Sequence, residues 1–324
     1  MREWNSLKQS MMNRFFLLAL TLLLSACYRV PDEIEPRVSY QLQEQHFRTL
    51  TGAFPPLSQQ EKITDWGKEY IIARAFADEL DLYRAVSTFK RAEILIENNT
   101  ERKAEIQYDI LLCYFLGKRY DEAIEAFERS DLSRVDKSFL AYHDLLLVLY
   151  ESYHELKNDE KQARILELLE KTFPATSEEI KVSQAIRQGD LDTIQLFACG
   201  FQHPSYLDNM MEDYTAQKKS VATAQILNAL LPGAGYLYIG QRKSAFTAFL
   251  LNGLFIAAAT QFFIHKHVAA GIITTGFEAG WYFGGIYGAG EEAKYYNERL
   301  YERSASTVLN EHKLFPILML DHAF

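Results

Sequence analysis

The side chains of this chain best placed to do chemistry are a cysteine near its start, Cys27, and a polar pair near its end, Asn252 and Glu278. Cys27 follows Leu24-Ser25-Ala26, which closes an apolar run, FFLLALTLLL, with Arg2, Lys8 and Arg14 around its start. A basic flank, a short apolar core and small residues before a defined position are the parts of an export signal, and the thiol that ends it is expected to be lipidated. The apolar run is short for a bilayer span, which needs about 20 residues. Glu278 is the single charged group between Val268 and Gly290. A charged carboxylate at mid-membrane costs a few kcal/mol, so it must be protonated, hydrogen-bonded or turned to a wet cavity. Asn252 falls at a similar depth on the preceding apolar stretch. The two are expected to bond across a hairpin or to meet across a homo-oligomer interface.

Other reactive arrangements are lacking in the sequence. There is no HExxH, no GxSxG and no phosphate-loop lysine, and Gly233-Ala234-Gly235 fails as a dinucleotide loop because the third glycine position is Tyr238. His154-Glu155 has no second histidine, and His143 and His154 are expected to pack or to face solvent. His265 and His267 flank a turn. Past Cys27 only Cys113 and Cys199 remain, without a CxxC pair, and both are expected in helical core positions. No enzyme, cofactor or metal is expected. A net charge of −9 without a basic stripe argues against nucleic acid, whose binding requires clustered Lys and Arg.

The segment from Met11 to Cys27 resembles the bacterial lipoprotein signal, in which the cysteine of a four-residue lipobox is acylated and becomes the mature N-terminus. The resemblance implies removal of residues 1–26, an acyl or palmitate-type anchor on Cys27, and a protein of the bacterial cell envelope. Tyr28 after the cysteine implies outer-membrane sorting, whereas a helical hairpin favours the inner membrane.

The elements that position these groups follow from hydrophobic periodicity, and they give an all-α chain. Residues 27–60 carry Pro31, Pro36, Pro55 and Pro56 without a sustained period and read as a tether. Residues 61–200 place apolar side chains at three- and four-residue spacing in a recurring unit. Its best copy has Ile110, Leu111, Tyr114, Tyr120, Ala123 and Phe127, with Gly117-Lys118 as the turn. An earlier copy has Ile72, Ala73, Phe76, Leu82, Ala85, Phe89 and Ala92, and a looser third has Ala163, Leu166 and Leu169. The unit resembles the tetratricopeptide repeat, although its period is longer than the family's 34 residues. The resemblance implies a helical solenoid, closed by a pair over Ser177–Phe197, that binds a protein partner on its concave face.

Residues 201–219 read as a linker and 220–243 as an interfacial amphipathic helix with the bend Pro232-Gly233. The motif Pro232 to Gly240 resembles the opening of small two-span membrane domains. Ser244–Ile264 lacks a charge over a length that crosses a bilayer, and Val268–Gly290 returns, so 244–290 reads as a transmembrane hairpin. Gly276, Gly280, Gly284 and Gly288 align on one face of the return, a pattern for close helix packing in lipid, where hydrophobicity cannot drive association. Glu278 projects away from that face. Residues 291–324 read as a polar helix and an apolar tail, LFPILML, whose seat is either the repeats or the membrane surface. An exported Cys27 and two crossings put repeats and tail in the extracytoplasmic space. The chain is therefore expected to be an envelope scaffold held by lipid and hairpin. The alternative is a small oligomeric transport or membrane-insertion component acting through the hairpin.

Overall fold

The computed structural model describes residues 30–38, 47, 49–97, 99–199 and 205–324, so Cys27, Tyr28 and the expected signal lie outside the described residues. The described chain is helical apart from a parallel bridge between β1 (Thr51–Gly52) and β2 (His322–Ala323). The contacts of the described residues form two units, one of those within 38–199 with 306–324, the other of 30–37 with 205–305.

The first unit is a succession of helix pairs. A short α1 (Gln59–Ile63) opens on a capping box between Ser58 and Glu61. The pairs are α2 (Asp65–Asp78) with α3 (Leu82–Leu95), α4 (Thr100–Leu116) with α5 (Tyr120–Arg129), α6 (Tyr142–Glu155) with α7 (Asp159–Thr172), and α8 (Pro174–Gln188) with α9 (Leu191–Ala198). Each of the first three pairs turns on one left-handed residue: Leu80 at φ +60°, Lys118 at +56° and Lys157 at +54°. These residues recur at spacings of 38 and 39. After each, the N–H of Asp81, Arg119 or Asn158 donates back to the carbonyl of Phe76, Tyr114 or Tyr153, 2.9 Å away in every case. That bond satisfies a carbonyl the helix end would leave orphaned. Asp81 and Asn158 then cap the following helix with their side chains. Gly189 repeats the turn for the fourth pair.

Small side chains let paired helices approach, and Ala73, Ala77, Ala85, Ala92 and Ala123 have no solvent exposure. α4 from Ala104 to Leu116, and α6 from Asp144 to Tyr153, are buried on all sides, their apolar runs Ile110–Leu116 and Leu145–Tyr150 accompanied by the buried polar residues Glu105, Gln107, Asp109, Asp144 and Glu151. The third copy of the unit is shifted by one residue from the alignment that Ala163 suggests. Gln162 and Leu169 face inward and Ala163 is exposed, because the register follows the 39-residue turn spacing. Ile72 of the first copy is likewise exposed, the inward stripe of α2 being Tyr70, Ala73 and Ala77.

Four apolar side chains of the expected tether are seated in a core. Phe47, Phe54 and Leu57 are buried in the first unit, where Phe54 meets the rings of Tyr108 and Phe139 at 5.8 and 5.4 Å. Val30 is buried in the second unit against Val221, Ala224, Ile239 and Ala293. Prolines break the helical period there without preventing these apolar side chains from finding a core. The apolar tail also belongs to the first unit. Leu314, Phe315, Ile317, Leu318 and Leu320 are buried, and a 3₁₀ turn over Pro316–Leu318 packs on α6.

The second unit holds α10 (Ser205–Gln217), α11 (Val221–Leu230), α12 (Ala234–Tyr238), α13 (Arg242–Ile264) and most of α14 (Val268–Glu311). The expected linker is thus largely α10, whose Leu207, Met210 and Tyr214 form an inward stripe, with Tyr214 edge-on to Tyr301. Gly233 at φ +94° and Gly240 at +85° bracket α12. The expected boundary near residue 290 is absent, since α14 runs unbroken for 44 residues. Among the described residues one helix, α13, is long and apolar enough to cross a membrane. The first part of α14 falls short on hydropathy because glycines, threonines and Glu278 dilute it.

Candidate functional site

Two places combine polar groups with unusual surroundings, one in each unit. In the second unit the arms of α13 and α14 leave most of their apolar side chains uncovered, including Phe246, Phe249, Leu254, Ile272 and Phe277, each more than half exposed. At the turn, Gly271 lies against the ring of Phe263. At the other end, Gly233 abuts the main chain of Ala245, and Gly235 fits between α11 and Ala289. The base of the hairpin is well bonded. Asn228 Oδ1 accepts from the Gly233 N–H at 2.8 Å, Asn297 exchanges two bonds with the Lys219 main chain, and Gln241 bonds Glu292. The Glu35 and Arg37 N–H groups donate to Glu298 and Glu302 of α14 at 3.1 and 2.7 Å.

The glycine row divides into two parts. A Cβ built at Gly276, Gly280 or Gly284 meets no atom of the described residues within 4 Å, whereas at Gly288 it would stand 2.5 Å from the Tyr236 hydroxyl. Among the described residues, Gly288 is the one of the four that is small for the sake of this chain's own packing. Asn252 is buried, and its amide donates to the Ala248 carbonyl of its own helix at 2.6 Å. The expected Asn252–Glu278 bond across the hairpin is not formed. Asn252 Oδ1 and Glu278 Oε2 are instead both shielded from solvent without a hydrogen-bond partner.

The second place was not legible in the sequence. Asp144, in the first turn of α6, has a fully enclosed carboxylate. Its Oδ1 accepts from the Asp321 N–H and from His143 Nδ1, both at 3.0 Å. Its Oδ2 accepts from the His322 N–H at 2.9 Å and from His322 Nδ1 at 3.0 Å. His143 Nδ1 also lies 3.0 Å from Asp321 Oδ2, while its Nε2 meets Thr176 Oγ1 at 3.0 Å. One buried carboxylate thereby ties the main chain of residues 321 and 322 to α6, beside the two-residue bridge to Thr51–Gly52. Burial works against a charge on His143, but the bond to Asp144 and the charges of Asp144, Asp321 and Glu179 outweigh it and hold the ring's proton above the usual histidine range.

His143, Asp144 and Asp321 bring three potential ligand atoms within 4.8 Å of one another. Main-chain N–H groups and imidazoles already occupy both Asp144 oxygens, so hydrogen bonding accounts for the cluster. No local pattern announces it, because His143-Asp144 and Asp321-His322 are mirror-image pairs 177 residues apart. The first unit also bears an open cleft of about 570 Å³ lined by Phe54, Ala104, Glu105, Arg134, Phe139 and Leu140. Among protein-family models, curated proteins and solved structures, none matches this chain.

Proposed function

We propose that this chain is a membrane-anchored scaffold of a bacterial envelope, in which a tetratricopeptide-like solenoid binds a protein partner while an acylated Cys27 and the α13–α14 hairpin hold it at the bilayer. The observation that carries the reading is the contrast between the units. The repeats expose scattered single apolar residues such as Tyr83, Ile94 and Leu196 around a buried core, whereas α13 and the first part of α14 expose a dense run of them, from Phe246 to Trp281. Contiguous apolar surface of that extent marks contact with lipid or protein. α13, at 23 residues, matches the hydrocarbon thickness at about 1.5 Å per residue. The second crossing by α14 is part of the proposal.

Val30 supports the double anchor. It packs in the unit that carries the hairpin and lies three residues after Cys27, so a lipid on Cys27 and the hairpin would serve one membrane. The uncovered glycines and the unpartnered Asn252 and Glu278 atoms support a homo-oligomer within that membrane. The cleft beside Phe54 and Leu140 is the surface we assign to the protein partner.

The test uses full-length protein in sedimented vesicles. Wild type incorporates labelled palmitate and Cys27→Ala does not, yet Cys27→Ala stays in the pellet through an alkaline carbonate wash because the hairpin alone retains it. Release of Cys27→Ala by that wash refutes the membrane hairpin. Labelling of Cys27→Ala refutes the lipid site.

A further inference from the structure

Segment 314–324 is held on the repeats by a cluster of acids and imidazoles around Asp144. We infer that His143, Asp144, Asp321 and His322 form a proton-controlled latch, closed while His143 is protonated and loosened when it is neutral. The geometry carries the argument. His143 Nδ1 faces both carboxylates at 3.0 Å, so its charge sits between one acid on α6 and one on the segment. Asp144 is sealed from solvent while Asp321 is exposed, so water screens their repulsion only from the Asp321 side.

The groups facing His143 come from each neighbouring element. On its own helix is Asp144. On the segment are Asp321 and, through the shared Asp144, His322. From α8 come Thr176 and the charge of Glu179, and ahead of it the edge-on ring of Phe173 at 4.9 Å. From α4, Tyr108 feels Asp144 and Asp321, and burial together with their charges keeps its hydroxyl neutral. Four acidic or phenolic groups and two imidazoles thus surround the site, and His143 is the one that touches both acids.

Losing the proton does not break the hydrogen bonds outright. The proton leaves Nε2 for solvent, the Thr176 hydroxyl turns from acceptor to donor, and Nδ1–H still points at Asp144 and Asp321. What disappears is the positive charge between two carboxylates. Because the folded state holds the proton more tightly than the free side chain, the stabilisation is complete below the ordinary histidine value of 6.5. It is lost as pH rises through the higher value of the folded protein. The segment then relies on the two-residue bridge and the apolar seat of Phe315, Leu318 and Leu320, which release would uncover.

Hydrogen exchange on the full chain between pH 6 and 9, corrected for intrinsic base catalysis, tests this through the amides of Asp321 and His322. In wild type their protection is expected to fall by up to tenfold per pH unit above pH 6.5, the slope of a one-proton linkage. His143→Gln, which keeps a donor toward Asp144 but cannot titrate there, is expected to abolish the slope. Asp321→Asn, at an exposed position that threatens no core, is expected to flatten it and to keep protection at high pH. Flat wild-type protection across the range overturns the latch, as does a wild-type slope that survives in either variant.

Discussion

The two classes of glycine around the hairpin respond in opposite ways to one added methyl group. At Gly235 the new Cβ would stand 2.3 Å from the Ala224 carbonyl oxygen and 2.8 Å from the Cβ atoms of Ala289 and Asn228. Ordinary contact begins at about 3.4 Å, so α12 must move away from both α11 and α14. Forced overpacking of this kind costs about 1–3 kcal/mol. At Gly280 the Cβ meets nothing, and alanine exceeds glycine in helix propensity by about 0.8–1 kcal/mol. Gly280→Ala is therefore expected to be neutral or stabilising, and Gly235→Ala destabilising, a gap of about 1–4 kcal/mol. Denaturant titration of both variants in the same detergent reads the gap directly. Gly280→Leu extends the test, since its larger side chain obstructs a second helix, and is expected to abolish crosslinked oligomers. Equal destabilisation by Gly280→Ala and Gly235→Ala would refute the reasoning, because it would mean that the open row is packed within the chain itself.

Two further outcomes follow from buried charges in the repeats. Arg187 pairs with Glu151 at 2.9 Å, and Glu151 is almost fully enclosed; Arg187→Ala should cost about 3–5 kcal/mol by stranding that carboxylate, against at most about 1 kcal/mol for Arg164→Ala, whose partner Glu160 is exposed. Urea midpoints for the two variants compare them, and equal midpoints would rule out the buried-pair argument. Burial drives the Asp109 carboxyl up to about 7, against the opposing charge of Arg74 and the Tyr70 hydroxyl. In the unfolded chain the same group releases its proton near pH 4, so the unfolded state binds fewer protons between pH 4 and 7 and stability must fall as pH rises through that window. Asp109→Asn should remove that part of the slope, and an unchanged pH profile would show that Asp109 does not titrate in the folded protein.

The repeat was legible because its chemistry is local. A left-handed turn residue, a capping side chain and small residues at helix contacts recur along the chain, and Ala85 and Ala123 are buried as their positions in the pattern require. The third copy was legible only to within one residue, since Gln162 and Ala163 both fit an apolar period loosely and the turn at Lys157 decides between them. Helix α10 was readable in retrospect from Leu207, Met210 and Tyr214, but the polar residues between them mask a stripe only three side chains long. Asn252 and Glu278 were recognised as costly in lipid from their types alone. That they do not bond each other depends on where each helix faces.

From the order of its residues alone, this chain determines that it is helical, that its middle repeats and that its last third is apolar, because helix propensity, turn chemistry and hydrophobic period act over a few residues. The tertiary structure decided where the apolar tail rests, which glycines are needed for packing, and that His143 and Asp144 meet Asp321 and His322. Those outcomes depend on surfaces formed by residues up to 271 positions apart, and a greasy segment such as LFPILML carries no address of its own until a buried carboxylate takes two bonds from the main chain that follows it.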